Sequence, residues 1–231
     1  VDGYGRGHFT LDETHENTLF GIQTGGRAYD WLTQQFYGAE RREMGDDVFE
    51  FVNREIGSVP PGSDGLIATH WLGGELPPLA AKNAKGLFFN ITDHHQRKHF
   101  ARAMLESLCF THRLSLNYYT EFHGGQRPDS IRVVGGGAMS AQWMQMMADV
   151  LQVPILVPEN PRYVGTMGSC CCALIGLGLK KDFSGLMDDQ QGGREFLPNP
   201  AHAEVYDKMY GIYQDLYPSL QDLYDRMNGV Y

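Results

Sequence analysis

Residues Val133–Leu151 read VVGGGAMSAQWMQMMADVL. A short β-branched run meets three consecutive glycines, and the segment Ala141–Leu151 that follows has the spacing of a helix. Bare backbone between a strand and a helix has two readings. It is a tight turn with nothing bound, or a place where a ligand approaches N–H groups without a Cβ in the way. The pattern is neither the GxGxxG of dinucleotide-binding folds nor the GxxxxGK[ST] of a phosphate loop, and no lysine follows to hold a phosphate.

Working outward, IRVV reads as a strand before the glycines and VPILVPE as a strand after the helix. PRYVGTMG leads into a further helix, Ser169–Gly178. Strand, helix, strand, helix in this order predict an α/β layered structure. Upstream, Ala28, Leu32 and Phe36 recur at spacing four, which predicts a helix over 27–37 opening after Gly25-Gly26. Residues 38–60 are charged and hold a short surface helix around Asp46–Glu55. GLIATHWL reads as a buried strand, and a weaker strand is expected around His8–Leu11. Thr92 is placed to N-cap a helix of about 25 residues over 93–120, with Asp93 in its first turn. Ala101, Met104, Leu105, Leu108, Cys109, Leu116 and Tyr119 form its core stripe. Residues 181–200 read as a polar loop. A tyrosine-rich terminal helix spans 201–228, with a break expected near Pro218.

The chain has 231 residues, 42% of them hydrophobic and 20% charged, with a formal net charge of −9. That describes one globular domain able to bury a core. No basic block points to nucleic acid, no apolar run reaches the roughly 18 residues of a membrane helix, and no signal-peptide core opens the chain. Cys170, Cys171 and Cys172 are adjacent, a poor arrangement for disulfides, and with Cys109 they read as small hydrophobes in a reducing cytoplasm.

Other residues invite chemistry but have plainer readings. His95 and His99 lie four apart on one helical face, with His94 beside them and no third metal ligand. Met139, Met144, Met146 and Met147 have core spacing. Arg102 and Glu106 read as a surface pair worth a few tenths of a kcal/mol. Asp30, Asp93 and Asp149 read as helix-start or helix-surface residues rather than bases. Tyr206, Tyr210, Tyr213, Tyr217 and Tyr224 read as a half-buried stripe.

Several blocks together carry a family resemblance. IRVVGGGAMSAQWMQMMADVLQVPILVPE followed by VGTMGSCCCALIGLG resembles the C-terminal half of the FGGY carbohydrate kinases, whose pattern there is GGGAxSxxWxQxxADxLxxPV and a small-residue helix. TGGRAYDWL resembles the family's AGxxxxWL, DGLIATHWLGGELPP its GLxFxPxLxGERxP, NAKGLFFNIT its NARGxFxGL, and HFARAMLESLCFTHR its HxARAxLEGxAF. The blocks keep family order over about residues 20–180 and look most like the xylulokinase-like branch.

The resemblance implies an actin-like (ribonuclease-H-like) α/β domain, a mixed sheet flanked by helices and incomplete at its N-terminal edge. Residues 1–231 would be the nucleotide-side domain, with the N-terminal sugar-binding domain outside this chain. The family transfers the ATP γ-phosphate, with Mg2+, to a sugar or polyol hydroxyl. A pentulose such as xylulose would be the acceptor, and Mg2+ would be held largely by parts outside this chain. Gly135, Gly136, Gly137 and Ala138 would line the adenosine side, with Ser140 and Ala141 at the helix start and Gly25 and Gly26 on the opposite wall. On that reading Gly136→Val or Gly137→Val blocks the approach of the adenosine of ATP or ADP and leaves most of the core intact. The family's catalytic aspartate and GTS motif precede the first block, and neither occurs here, so the chain alone is expected to be inactive. No residue of the chain is assigned a catalytic or metal-binding role. The alternative is a non-catalytic actin-like module that binds nucleotide or a partner. An open sheet edge leads us to expect a homodimer. Three positions depart from the pattern: Leu76 replaces the arginine of GER and leaves Glu75 without that neighbour, His70 stands for proline, and Asn90 for glycine.

Overall fold

A computed structural model describes residues 5–9, 16–184 and 193–229. Among the described residues it has seven strands: β1 (Gly5–Phe9), β2 (Glu16–Leu19), β3 (Ile67–Thr69), β4 (Leu87–Phe89), β5 (Ile131–Arg132), β6 (Ile155–Val157) and β7 (Arg194–Phe196). Seven α-helices accompany them among these residues: α1 (Gly25–Phe36), α2 (Gly38–Met44), α3 (Val48–Gly57), α4 (Arg97–Phe122), α5 (Ala141–Leu151), α6 (Val164–Gly176) and α7 (Ala203–Asn228). The α/β class is as the sequence predicts. The mixed sheet is β5-β6-β7, with β5 parallel and β7 antiparallel to β6. The other strands do not join it: β1-β2 and β3-β4 are separate antiparallel pairs.

Helix α4 is the axle. Its 26 residues span about 39 Å, and it packs against α5, β3, α1 and α3. Leu105, Cys109 and Ala101 are fully buried along it. Its start differs from expectation. Gln96 is the N-cap and closes a capping box with His99, whose Nδ1 accepts from the Gln96 N–H at 2.9 Å. Thr92 instead pairs with His94 and His95 in the preceding turn. The histidine cluster is thus engaged in starting this helix, and His99 Nε2 lies 3.1 Å from Asp64 Oδ2.

Helix α7 runs unbroken through Pro218. Proline removes one donor and crowds the preceding turn, yet tertiary anchors hold both sides of it. Tyr213 hydroxyl meets Thr111 Oγ1 at 3.0 Å before it, and Tyr224 hydroxyl donates to Lys85 O at 3.0 Å after it. The tyrosine stripe is buried at Tyr206, Tyr210 and Tyr213 and partly exposed at Tyr217 and Tyr224. Helix α6 begins five residues earlier than expected, because Gly165 and Gly168 weaken the helical signal by about 1 kcal/mol each without stopping the helix. The charged segment 38–60 holds two helices, α2 and α3, rather than one. Of the weak strand expected at His8–Leu11, β1 covers the part to Phe9, and residues 10 and 11 lie outside the described residues, as do 185–192 of the polar loop.

Arg102 and Glu106 are not a surface pair. Glu106 is buried and accepts from Arg102 Nε (2.8 Å), Gly62 N (3.0 Å) and Tyr206 hydroxyl (3.0 Å) on Oε1, and from Ser63 hydroxyl (2.8 Å) on Oε2. Asp149 is also buried rather than on a helix surface. It accepts from Gln145 Nε2 and Asn199 N and pairs with His202 Nδ1, each at 2.8 Å. Both carboxylates tie helices to loops, which spacing along one helix does not reveal.

Candidate functional site

The glycine turn leaves β5 through Val133 and Val134. Gly135 sits at φ +96°, a region closed to most side chains, and its N–H donates to Pro161 O at 2.7 Å. Gly136–Met139 form a single 3-10 turn, and Ser140 caps α5 by accepting from Trp143 N at 3.1 Å. The same Ser140 hydroxyl donates to Asn53 Oδ1 on α3 at 2.9 Å.

The three glycines are bare for three different reasons. Gly135 needs its positive φ. Gly137 needs space, because a Cβ there would lie 2.7 Å from Cζ3 of the buried Trp143 ring. Gly136 needs neither: a Cβ there meets nothing within 4 Å, and the residue is exposed. The expectation that Gly137→Val leaves most of the core intact is therefore corrected, since Trp143 occupies that volume. Ala138 is fully buried, so its methyl belongs to the core, and its carbonyl accepts from Arg194 Nη2 at 2.9 Å. Ala141 is exposed at the start of α5.

The second glycine pair opens α1. Gly25 has φ +37°, and a Cβ on either Gly25 or Gly26 would enter open space. Helix starts leave N–H groups without intrahelical partners, so the Gly25-Gly26 turn that opens α1 presents donors that no Cβ covers. The two turns are latched to each other one helical turn further on. Tyr29 of α1 packs on Trp143 of α5, ring centroids 6.1 Å apart, and its hydroxyl approaches Asn53 Oδ1 at 3.4 Å. Burial holds the Tyr29 phenol above the ordinary tyrosine range, so it remains a donor. Asn53 thus receives Ser140 from one wall and Tyr29 from the other. Sequence reading missed Asn53, Tyr29 and Arg194. Asn53 and Arg194 act across 87 and 56 residues of chain, and no local signal marks them.

A groove of about 670 Å³ lies beside this region, between the end of α3, the exposed side of α5 and the start of α7. It includes Ser58, Pro60, Gln142, Gln145 and His202. Of the expected residues its lining includes Ala141 alone. Asp30, among the carboxylates considered as bases, pairs with Arg41 at 2.7 Å.

The departures from the family pattern have local explanations. Asn90 adopts φ +66°, which asparagine tolerates better than most residues, and its Nδ2 donates to Gly65 O at 3.0 Å. His70 and Glu75 are both buried, and His70 Nε2 lies 2.5 Å from Glu75 Oε2.

The model for the C-terminal domain of the FGGY family of carbohydrate kinases matches residues 18–177. A xylulose kinase of Lactococcus lactis is 31% identical over 198 residues, covering 83% of this chain and 37% of the relative. A gluconokinase of Bacillus licheniformis is 28% identical over 211 residues, covering 90% of this chain and 41% of the relative. The crystal structure of ligand-bound xylulose kinase from Lactobacillus acidophilus superposes with a TM-score of 0.78 at 26% identity, covering 97% of this chain and 44% of that one. The chain thus spans about two fifths of the length of the curated relatives it matches.

Proposed function

This chain belongs to the FGGY family of carbohydrate kinases, and on that premise we propose that it is the nucleotide-side domain of a kinase that phosphorylates a sugar or polyol hydroxyl. The sugar-binding domain and the proton-accepting base then lie in a polypeptide segment outside residues 1–231. The observation that carries the nucleotide reading is Gly136. It is exposed, free of backbone strain and free of packing neighbours, so packing does not account for its lack of a side chain, whereas an approaching adenosine does. Gly26, in the turn that opens α1, has the same character.

In this reading Gly26 and Gly136 offer backbone against which the adenosine lies, and Gly25, Gly135 and Gly137 shape the two turns. Ala138, Ser140 and Ala141 form the start of α5. Asn53 and Arg194 hold these turns in place. Phosphoryl transfer depends on such positioning and on charge neutralisation. The γ-phosphoryl group moves from ATP to the acceptor oxygen, ADP leaves, and the hydroxyl proton passes to a base beyond this chain. The described residues bring together no group of three or more His, Cys, Asp or Glu able to hold a metal, so no residue here is assigned to Mg2+, which would enter with ATP.

We favour a pentulose acceptor such as xylulose, supported by the xylulokinase-like loop blocks and by the relative at 31% identity. Gluconokinases match at a similar level, so the acceptor assay carries both sugars. The test is ADP release by the complete polypeptide with D-xylulose and with gluconate, beside titration of this chain with a fluorescent ATP analogue. Sugar-stimulated turnover by the complete protein and none by the chain alone is the expected outcome. Turnover by residues 1–231 alone, or no analogue binding at millimolar concentration, refutes the assignment.

A further inference from the structure

The loop His70–Leu76 lies against the residues that lead into Gly25-Gly26, and the contacts are made atom by atom. Glu75 Oε1 accepts the backbone N–H of Gln23 at 3.0 Å and that of Leu76 at 2.8 Å. The Thr24 hydroxyl donates to the backbone carbonyl of His70 at 2.5 Å. A Cβ on Gly73 would touch Gln23 Cγ at 3.6 Å and Thr24 Cγ2 at 3.8 Å, and one on Gly21 would strike Leu76 Cδ1 at 2.7 Å. Chain 21–24 is therefore moulded onto the loop by shape as well as by hydrogen bonds.

What holds the loop is the pair His70–Glu75. The two side chains are 0% and 1% exposed. Their facing atoms, Nε2 and Oε2, are 2.5 Å apart yet lack hydrogen-bond alignment, and neither has another hydrogen-bond partner among the described residues. Each of these buried polar atoms faces the other across the contact, and each depends on the other to remain buried. On its other side His70 Nδ1 lies 3.3 Å from Ser107 Oγ, whose own proton goes to Met104 O at 2.8 Å, so the histidine is tied to the central helix α4. The chain α4, Ser107, His70, Glu75, Gln23 is continuous. Two of the three departures from the family pattern meet here, His70 itself and Leu76 beside Glu75. Glu75 lacks the arginine that follows it there, and His70, five residues upstream, faces its carboxylate instead.

We propose that His70 and Glu75 are positioning residues that lock the Gln23–Gly26 turn to helix α4, and so set the α1 wall of the nucleotide site. The role at the nucleotide rests on the reading given under Proposed function, whereas the lock on the turn does not.

The test reads the turn directly. Backbone amide exchange is followed by NMR in the wild-type chain and in Thr24→Val, Glu75→Gln, Glu75→Ala and His70→Gln. Met209→Ala serves as a core-weakened control in α7. Thr24→Val and Glu75→Ala should speed exchange at the bonded amides of the turn, Gln23, Arg27 and Ala28, at least tenfold and leave the amides of α5 at their wild-type rates. Glu75→Gln keeps a carbonyl acceptor for Gln23 N–H and should restore most of the protection. If Glu75→Ala does not fold, Thr24→Val and His70→Gln carry the measurement, since both preserve volume closely. Unchanged exchange at the turn, or a uniform rise matching that of Met209→Ala, overturns the proposal. The ATP analogue should bind the loosened variants at least fivefold more weakly. A loosened turn with unaltered analogue affinity supports the lock and removes Gly25-Gly26 from the nucleotide site.

Discussion

Gly136 and Gly137 are adjacent and chemically identical, yet their substitution should have opposite consequences. At Gly137 an added Cβ lies 2.7 Å from Trp143 Cζ3 and 3.3 Å from Cε3 and Cη2. Carbon atoms prefer separations of about 3.5–4.0 Å, so the ring or the turn must yield by nearly 1 Å. The ring is 8% exposed and packs on Tyr29, which leaves it little room to move. Overpacking of this kind costs about 1–3 kcal/mol. For a chain of this size each kcal/mol lowers Tm by about 2–4 °C, so Gly137→Ala should melt several degrees below wild type. Gly136 has no neighbour within 4 Å and no positive φ, so Gly136→Ala should stay within about 0.5 kcal/mol of wild type. Gly136→Val should fold equally well and yet lose at least tenfold in affinity for a fluorescent ATP analogue. The assays are thermal melts of all three variants and analogue titrations at a temperature where each is folded. A Gly137→Ala protein that melts with wild type refutes the packing argument. A folded Gly136→Val protein with wild-type affinity refutes the binding argument and leaves the tight-turn reading of the glycines.

Three further outcomes follow from the same contacts. Glu106→Ala removes the acceptor of Arg102 Nε, Gly62 N–H and the Ser63 and Tyr206 hydroxyls and leaves Arg102 without its ion-pair partner, and urea denaturation should show a loss of about 3–5 kcal/mol, as for other broken buried ion pairs. Burial, reinforced by nearby His70 and opposed by Glu75, lowers the His112 pKa to about 4. Between that value and about 6.5 the unfolded chain binds the extra proton, so stability should fall as pH drops through this window. The loss is bounded near 3 kcal/mol and is reduced because the residue is not fully buried, and a His112→Gln variant followed by urea midpoints at pH 7.5 and 5 should show a flatter profile. Arg194→Met releases the Ala138 carbonyl and should weaken analogue binding about threefold to tenfold with under 1 kcal/mol lost in stability, as expected for an exposed side chain; an unchanged affinity would remove Arg194 from the support of the turn.

Much of this molecule is legible in its local pattern. The α5 boundaries, the α/β order of 130–178, the long α4 and the tyrosine stripe of α7 follow from apolar spacing and glycine placement, because helical periodicity and turn chemistry are properties of neighbouring residues. The family blocks are likewise contiguous stretches, and they brought both glycine pairs forward as candidates. What the local pattern left undecided is why each glycine is a glycine. That depends on the ring of Trp143, six residues on in sequence and folded back against Gly137, on a φ angle at Gly135, and on empty volume at Gly136, none of which a glycine codon records. The same holds for polar residues. Arg102–Glu106 has the spacing of a surface pair and Asp149 that of a helix face, yet both are buried, since their partners Ser63, Tyr206, Asn199 and His202 come from distant chain. A charge can enter the interior only where the fold delivers its hydrogen-bond partners. Burial of polar groups is therefore decided by the tertiary structure, and with it the difference between a surface ornament and the residues that hold the site in shape.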